Sequence, residues 1–180
     1  MNSNIDNALE LSNLSLSVED ACVSTIGFLA GITVIGINEK DIIIVTIISV
    51  LIGAISISVG TYISNDTLVQ DSNTKQDDTG KLKSILITFF SSFITGIILT
   101  VPYMLFKNKQ VAMHKSVIIA IVFLFFLGIY DAHVINTNNA NKNKKQINKW
   151  FNALKFAFLG ILSIGSGLIA GNYLKKYIKK

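Results

Sequence analysis

The chain has 180 residues, 51% of them hydrophobic and 15% charged, with a formal net charge of +5. The charged residues are segregated and leave long uncharged stretches, which excludes an ordinary water-soluble domain of this length. Every basic residue is a lysine, and the lysines cluster in connections and at the end of the chain (Lys175, Lys176, Lys179, Lys180). That distribution suits lipid headgroups and excludes a nucleic-acid-binding surface.

Residues 1–19 carry scattered apolar residues (Ile5, Leu9, Leu11, Leu14, Leu16) among Asn, Ser and Glu. They have neither the basic start nor the apolar stretch of a secretory signal, and are expected to form a weak interfacial helix or a disordered segment. Five apolar runs follow, at about 21–37, 42–64, 84–106, 116–135 and 150–174. At about 20 residues per crossing, each is long enough, or nearly so, to span a bilayer. The predicted fold class is an all-α integral membrane protein, with residues 20–180 forming one domain of five transmembrane helices.

The first run opens on Glu19-Asp20. A carboxylate at the mouth of a membrane helix is costly to place there and marks an ion or proton path. Cys22 is the single cysteine; it excludes an internal disulfide and reads as a small buried side chain rather than a soft-metal ligand. The connection at 38–41, Asn-Glu-Lys-Asp, is so short that the first two spans must form an antiparallel hairpin. In the second span Thr46, Ser49, Gly53, Ser56 and Gly60 recur at three- and four-residue spacing, and in the fifth Gly160, Ser163, Gly167 and Gly171 do the same. Such stripes either let helix backbones pack closely in lipid or, where an ionisable residue shares the face, line a polar path.

The 65–83 connection holds Asp66, Asp71, Asp77 and Asp78 against Lys75, Lys81 and Lys83, and reads as solvated loop charge. Pro102 at the end of the third span frees a carbonyl beside Met104. His114 and His133 bracket the fourth span 19 residues apart, about 28 Å along a helix, so they share no metal. Asp131 and His133 are close in sequence, but residues two apart on a helix do not face each other. Orientation stays open: seven lysines on one side of the membrane against eight on the other decide nothing under the positive-inside rule. No phosphate-binding loop, His-Glu-x-x-His or nucleophile–base pair is present, so an enzyme is not expected.

The segment Asp20-Ala21-Cys22-Val23-Ser24-Thr25-Ile26-Gly27-Phe28-Leu29-Ala30-Gly31 resembles the Asp-Gly-Leu-x-x-x-x-Gly-x-x-x-Gly opening of the vacuolar iron transporter family. Residues Gly53 to Ser64 resemble that family's G-A-x-S-M-x-x-G-E-Y-x-S signature. Thr100-Val101-Pro102-Tyr103 and the run from Gly167 to Tyr173 are similar to the ends of its third and last helices. The resemblance implies homodimeric export of Fe(II), and of Mn(II), from cytosol into a vacuole-like compartment in exchange for protons. It makes Asp20 the principal metal ligand, with no permanently bound cofactor.

The motif methionine falls on Ile57 and the motif glutamate on Thr61. Ser56, Thr61 and Met104 are then the remaining weak candidate ligands. The cytosolic metal-binding domain of some members is replaced by the 65–83 loop alone. Two further readings stay open: a transport-incompetent scaffold or dimer partner of a complete transporter, and a channel or proton pathway that uses Asp20 alone.

Overall fold

The computed structural model describes residues 3–72, 78–140 and 146–178, with side chains over 11–64, 80–137 and 146–178. These form helices α1 (Ser3–Ile35), α2 (Glu39–Ser72), α3 (Asp78–Leu105), α4 (Lys109–Ala140) and α5 (Lys149–Ile178). Each is long and apolar enough to cross a membrane, over Leu11–Ile35, Glu39–Ser64, Gly80–Leu105, Lys109–Thr137 and Lys149–Ile178. All five predicted spans are therefore helices. The outer surface is apolar as well: Ile52, Phe126, Leu154 and Ile169 are each more than half exposed, as expected of side chains that face acyl chains.

Local sequence accounts for the helix ends. Gly36, with φ of 95°, closes α1 in the left-handed conformation that glycine adopts without penalty. The Asn108 side-chain oxygen accepts from the backbone N–H of Gln110, and that of Asn148 from Trp150, capping the free donors at the starts of α4 and α5. At the other end of α4, the Asn136 amide donates to the Ile147 carbonyl and accepts its N–H, which fixes the chain entering α5.

Helix α1 is the centre of the bundle and touches the other four. Its outward neighbours pair off, α2 lying on α3 and α4 on α5. Two apolar clusters hold these contacts, one around Cys22, Ile26, Leu99, Ala120 and Leu124, the other around Leu29, Ile32, Ile42, Tyr103 and Ala112. Cys22 is fully buried in the first of these.

The N-terminal segment is helical from Ser3 onward and runs without a break into the rest of α1. Where side chains are described, polar groups tie it to α3: the Asn13 amide donates to Ser84 Oγ at 2.8 Å, and the Ser17 and Ser91 hydroxyls lie 2.6 Å apart. Bonded hydroxyls and amides are compatible with membrane depth. Helix α2 likewise continues past the apolar run to Ser72, with no glycine or proline after Gly60 to stop it. The side chains of Asp66, Asp71, Asp77 and Asp78 lie outside the described residues.

Candidate metal path

With α1 lengthened, Asp20 lies nine residues inside the Leu11–Ile35 span, about 14 Å along the helix. It stands where the polar first part of α1 gives way to the apolar run. Its carboxylate forms no ion pair or hydrogen bond with any described residue. An unpaired carboxylate on a membrane helix must face water, an ion or a partner.

What it faces is a cleft between α1 and α2. The open part has a volume of about 410 Å³ and is lined by Leu16, Asp20, Ser24, Ser49, Gly53, Ser56 and Ile57. Behind it, a smaller cavity of about 30 Å³ runs in towards α3, with Thr25, Thr46, Val50, Phe28 and Ser92 on its walls. Asp20, Ser24, Ser49 and Gly53 belong to both compartments.

The hydroxyls here divide into two kinds. Ser24 Oγ donates to the Asp20 carbonyl and Thr46 Oγ1 to the Ile42 carbonyl, both at 2.6 Å. Those bonds engage the hydroxyl proton and leave the oxygen lone pairs available. Thr25, Ser49, Ser56 and Ser92 form no hydrogen bond among the described residues. Elsewhere in the bundle Thr33, Ser58, Thr88, Thr95 and Thr100 all bond back to the carbonyl four residues earlier, the usual solution for hydroxyls in membrane helices. In the cleft Ser24 and Thr46 do the same, whereas Thr25, Ser49, Ser56 and Ser92 do not.

The predicted ligands fare differently. Asp20 and Ser56 line the same open cleft, as does Ile57. Thr61 does not: it is buried, and its hydroxyl donates to the Ile57 carbonyl at 2.9 Å. Met104 lies twelve residues beyond Ser92 on α3, about 18 Å along the helix, and does not line the cleft. Its neighbour Tyr103 pairs instead with Thr33 at 2.6 Å, near the opposite end of α1. Ser92 and Thr25 were missed by sequence reasoning. The signal for Ser92 was available in the hydroxyl series Ser84, Thr88, Ser92 and Thr95, a polar line along α3 at helical spacing.

Asp131 and His133 point apart. Asp131 accepts a hydrogen bond from Asn152 at 3.1 Å, whereas His133 is exposed beside Lys149. His114 Nδ1 lies 2.6 Å from the Gln110 carbonyl. Among the described residues no three His, Cys, Asp or Glu side chains come together as a metal cage. The path therefore offers one carboxylate and a set of neutral oxygens.

No curated protein matches the chain. The model of the VIT family matches residues 66–172, which takes in the end of α2, all of α3 and α4 and most of α5. The motifs around Asp20 and Gly53 precede that stretch. Five membrane-spanning helices in this order and a match over more than half its length identify the chain as a member of the VIT, or vacuolar iron transporter, family, whose members are membrane metal-ion transporters and not enzymes.

Proposed function

We propose that this protein moves divalent metal ions across a membrane, Fe(II) in preference to Mn(II), with Asp20 as the charged ligand. The observation that carries the reading is the unpaired carboxylate of a membrane helix, opening onto a cleft with unbonded hydroxyls. A carboxylate and hydroxyl oxygens suit hard to borderline divalent cations that retain part of their water. Ser49, Ser56 and the Asp20 carboxylate would replace the remainder.

Binding of a dication to one carboxylate leaves a positive charge at membrane depth. Countertransport of a proton, taken up by Asp20 as the metal leaves, would spare the bare carboxylate. The open α2 face supports assembly as a homodimer with the cleft at the junction. A Cβ added at Gly53 or Gly60 would meet no neighbouring atom of the described residues within 4 Å, and a small, weakly polar helix face in lipid is best covered by another helix. A vacuolar or other endomembrane location follows from the family and is part of the proposal.

The test is equilibrium binding of Fe(II) and Mn(II) to the purified protein in detergent under anaerobic conditions. Saturable binding that is lost in Asp20→Asn, with the helical content and elution profile unchanged, supports the reading. Binding that is equal in both proteins contradicts it. A second reading, a scaffold that no longer transports, is favoured by the withdrawal of Thr61 and Met104 from the cleft. It predicts a folded dimer with no saturable metal binding at all.

A further inference from the structure

At the end of the bundle where α1 stops, the only carboxylates are Glu39 and Asp41, both at the start of α2. Helix α4 has no Asp or Glu before Asp131, and α5 has none at all. Lysines converge on that α4–α5 side. The two helices pack antiparallel in a fixed register: the Asn136 amide donates to Ile147, the Asn152 amide to Asp131, and Gly160 faces Leu124. Carried along both helices, that register sets Lys109, at the start of α4, level with Tyr173 to Lys175 near the end of α5. Helix α1 gives the same level independently. Gly171 packs on Gly31, so Lys175 stands one turn further on, as Ile35 does, and the Lys109 ammonium donates to the Ile37 carbonyl at 3.4 Å. Lys107 and Lys176 are exposed, Lys109 and Lys175 half-buried, and none of the four forms an ion pair among the described residues. Beside them the hydroxyls of the exposed Tyr173 and Tyr177 lie 3.0 Å apart. One O–H is spent on the other, which leaves the second to donate outward.

We propose that this α4–α5 rim binds the headgroup of an anionic phospholipid, with Lys107, Lys109, Lys175 and Lys176 around its phosphate and the tyrosine pair donating to its oxygens. The site is separate from Asp20 and does not depend on the metal path. Four ammonium groups with no carboxylate to neutralise them draw anions to the rim. A zwitterionic lipid brings an ammonium of its own, which the lysines repel, so a net negative headgroup is preferred. The surroundings favour a lipid over a free phosphate. Leu105, Leu174 and Ile178 beside the rim are exposed and apolar, so the acyl chains of a bound lipid add contacts that an inorganic anion lacks. Tyrosines at the end of a membrane helix sit at headgroup level, and lysine stems lie along apolar surface with their charges turned to the interface.

The experiment titrates the full-length purified protein, in a neutral detergent, with phosphatidylglycerol, phosphatidylcholine or inorganic phosphate. Retained lipid is read by native mass spectrometry and stabilisation by the thermal midpoint. The expected result is saturable retention of phosphatidylglycerol with a raised midpoint, and neither effect from phosphatidylcholine or phosphate at the same concentration. Lys175→Gln combined with Lys176→Gln should weaken phosphatidylglycerol binding roughly 25-fold, about fivefold for each lysine. Lys149→Gln combined with Lys155→Gln removes the same charge at the other end of α5 and should leave the binding unchanged. Lys175→Arg with Lys176→Arg keeps the charge and should keep the affinity, which separates loss of the site from loss of the fold. Tyr173→Phe with Tyr177→Phe should weaken binding less than the glutamine pair does. An equal loss in the two glutamine pairs would reduce the effect to net charge and overturn the site. Equal retention of phosphatidylcholine would make the bound lipid ordinary boundary lipid, and an equal midpoint shift from phosphate would make the rim a free-anion site; either result overturns the proposal.

Discussion

The small-residue stripes of α2 and α5 share one spacing in the sequence and meet opposite surroundings in the fold. On α5, Gly167 and Gly171 press against the backbone of Gly27 and Gly31 on α1, and a side chain added at any of the four would collide with the opposing helix. Ser163 belongs to the same seam, its hydroxyl donating to the Val23 carbonyl at 2.5 Å. Gly160 continues the stripe towards Leu124 of α4. On α2, Gly53 and Gly60 meet nothing within 4 Å, and Ser49 and Ser56 line an open cleft with a carboxylate across from them. One stripe is closed and bonded across to α1, the other open, with Ser49 and Ser56 unbonded among the described residues. Small residues thus serve packing where a second small-residue face meets them, and under the proposed function they line a path where unused oxygens lie beside a charge.

The largest way to break that comparison is to enlarge a residue in the closed seam. Gly167→Val should cost about 1–3 kcal/mol, the range for overpacking a well-filled interface, and should lower the thermal midpoint in detergent. Gly53→Ala on the open stripe should leave stability unchanged or slightly raised, because alanine is the better helix former by about 1 kcal/mol. If Gly167→Val is as benign as Gly53→Ala, the two stripes do not differ as described. A second contrast is functional. Gly53→Leu fills the cleft and should cut metal uptake severely in a protein that still folds, as read by uptake and circular dichroism on the same preparation.

Smaller effects sharpen the picture. Ser163→Ala removes a bond across the seam and should cost about 0.5–1 kcal/mol, whereas Ser56→Ala should cost no stability and instead weaken metal binding. Ile57→Met puts a thioether into the cleft and should raise affinity for Fe(II) a few-fold relative to Mg(II), since softer ligands favour the softer ion. That shift is readable in a competition titration. Thr61→Glu should not add to it, because Thr61 is buried and does not line the cleft.

Much of this was legible in the sequence. Lipid demands that each crossing be a long apolar helix, so the five spans stand out wherever charge is absent. Asp20 and the α2 stripe were readable for the converse reason, that polar groups inside such runs need an explanation. The first ten residues of the Leu11–Ile35 span were not readable, because Asn13 and Ser17 look like solvent-facing residues until Ser84 and Ser91 are seen bonding them. That the cleft stops short of Thr61 and takes in Ser92 depends on how α1, α2 and α3 pack, and spacing along one helix carries no information about its neighbours. Nor could spacing tell which glycine stripe would find a partner within the chain.

The most direct test of the central claim is Fe(II) uptake into proteoliposomes of the purified protein, with Asp20→Asn and Gly53→Leu measured beside it. The account predicts time-dependent uptake by the unaltered protein and none above empty vesicles for Asp20→Asn, with both proteins equally folded. Uptake that persists undiminished in Asp20→Asn would contradict it and would place the metal path elsewhere in the bundle.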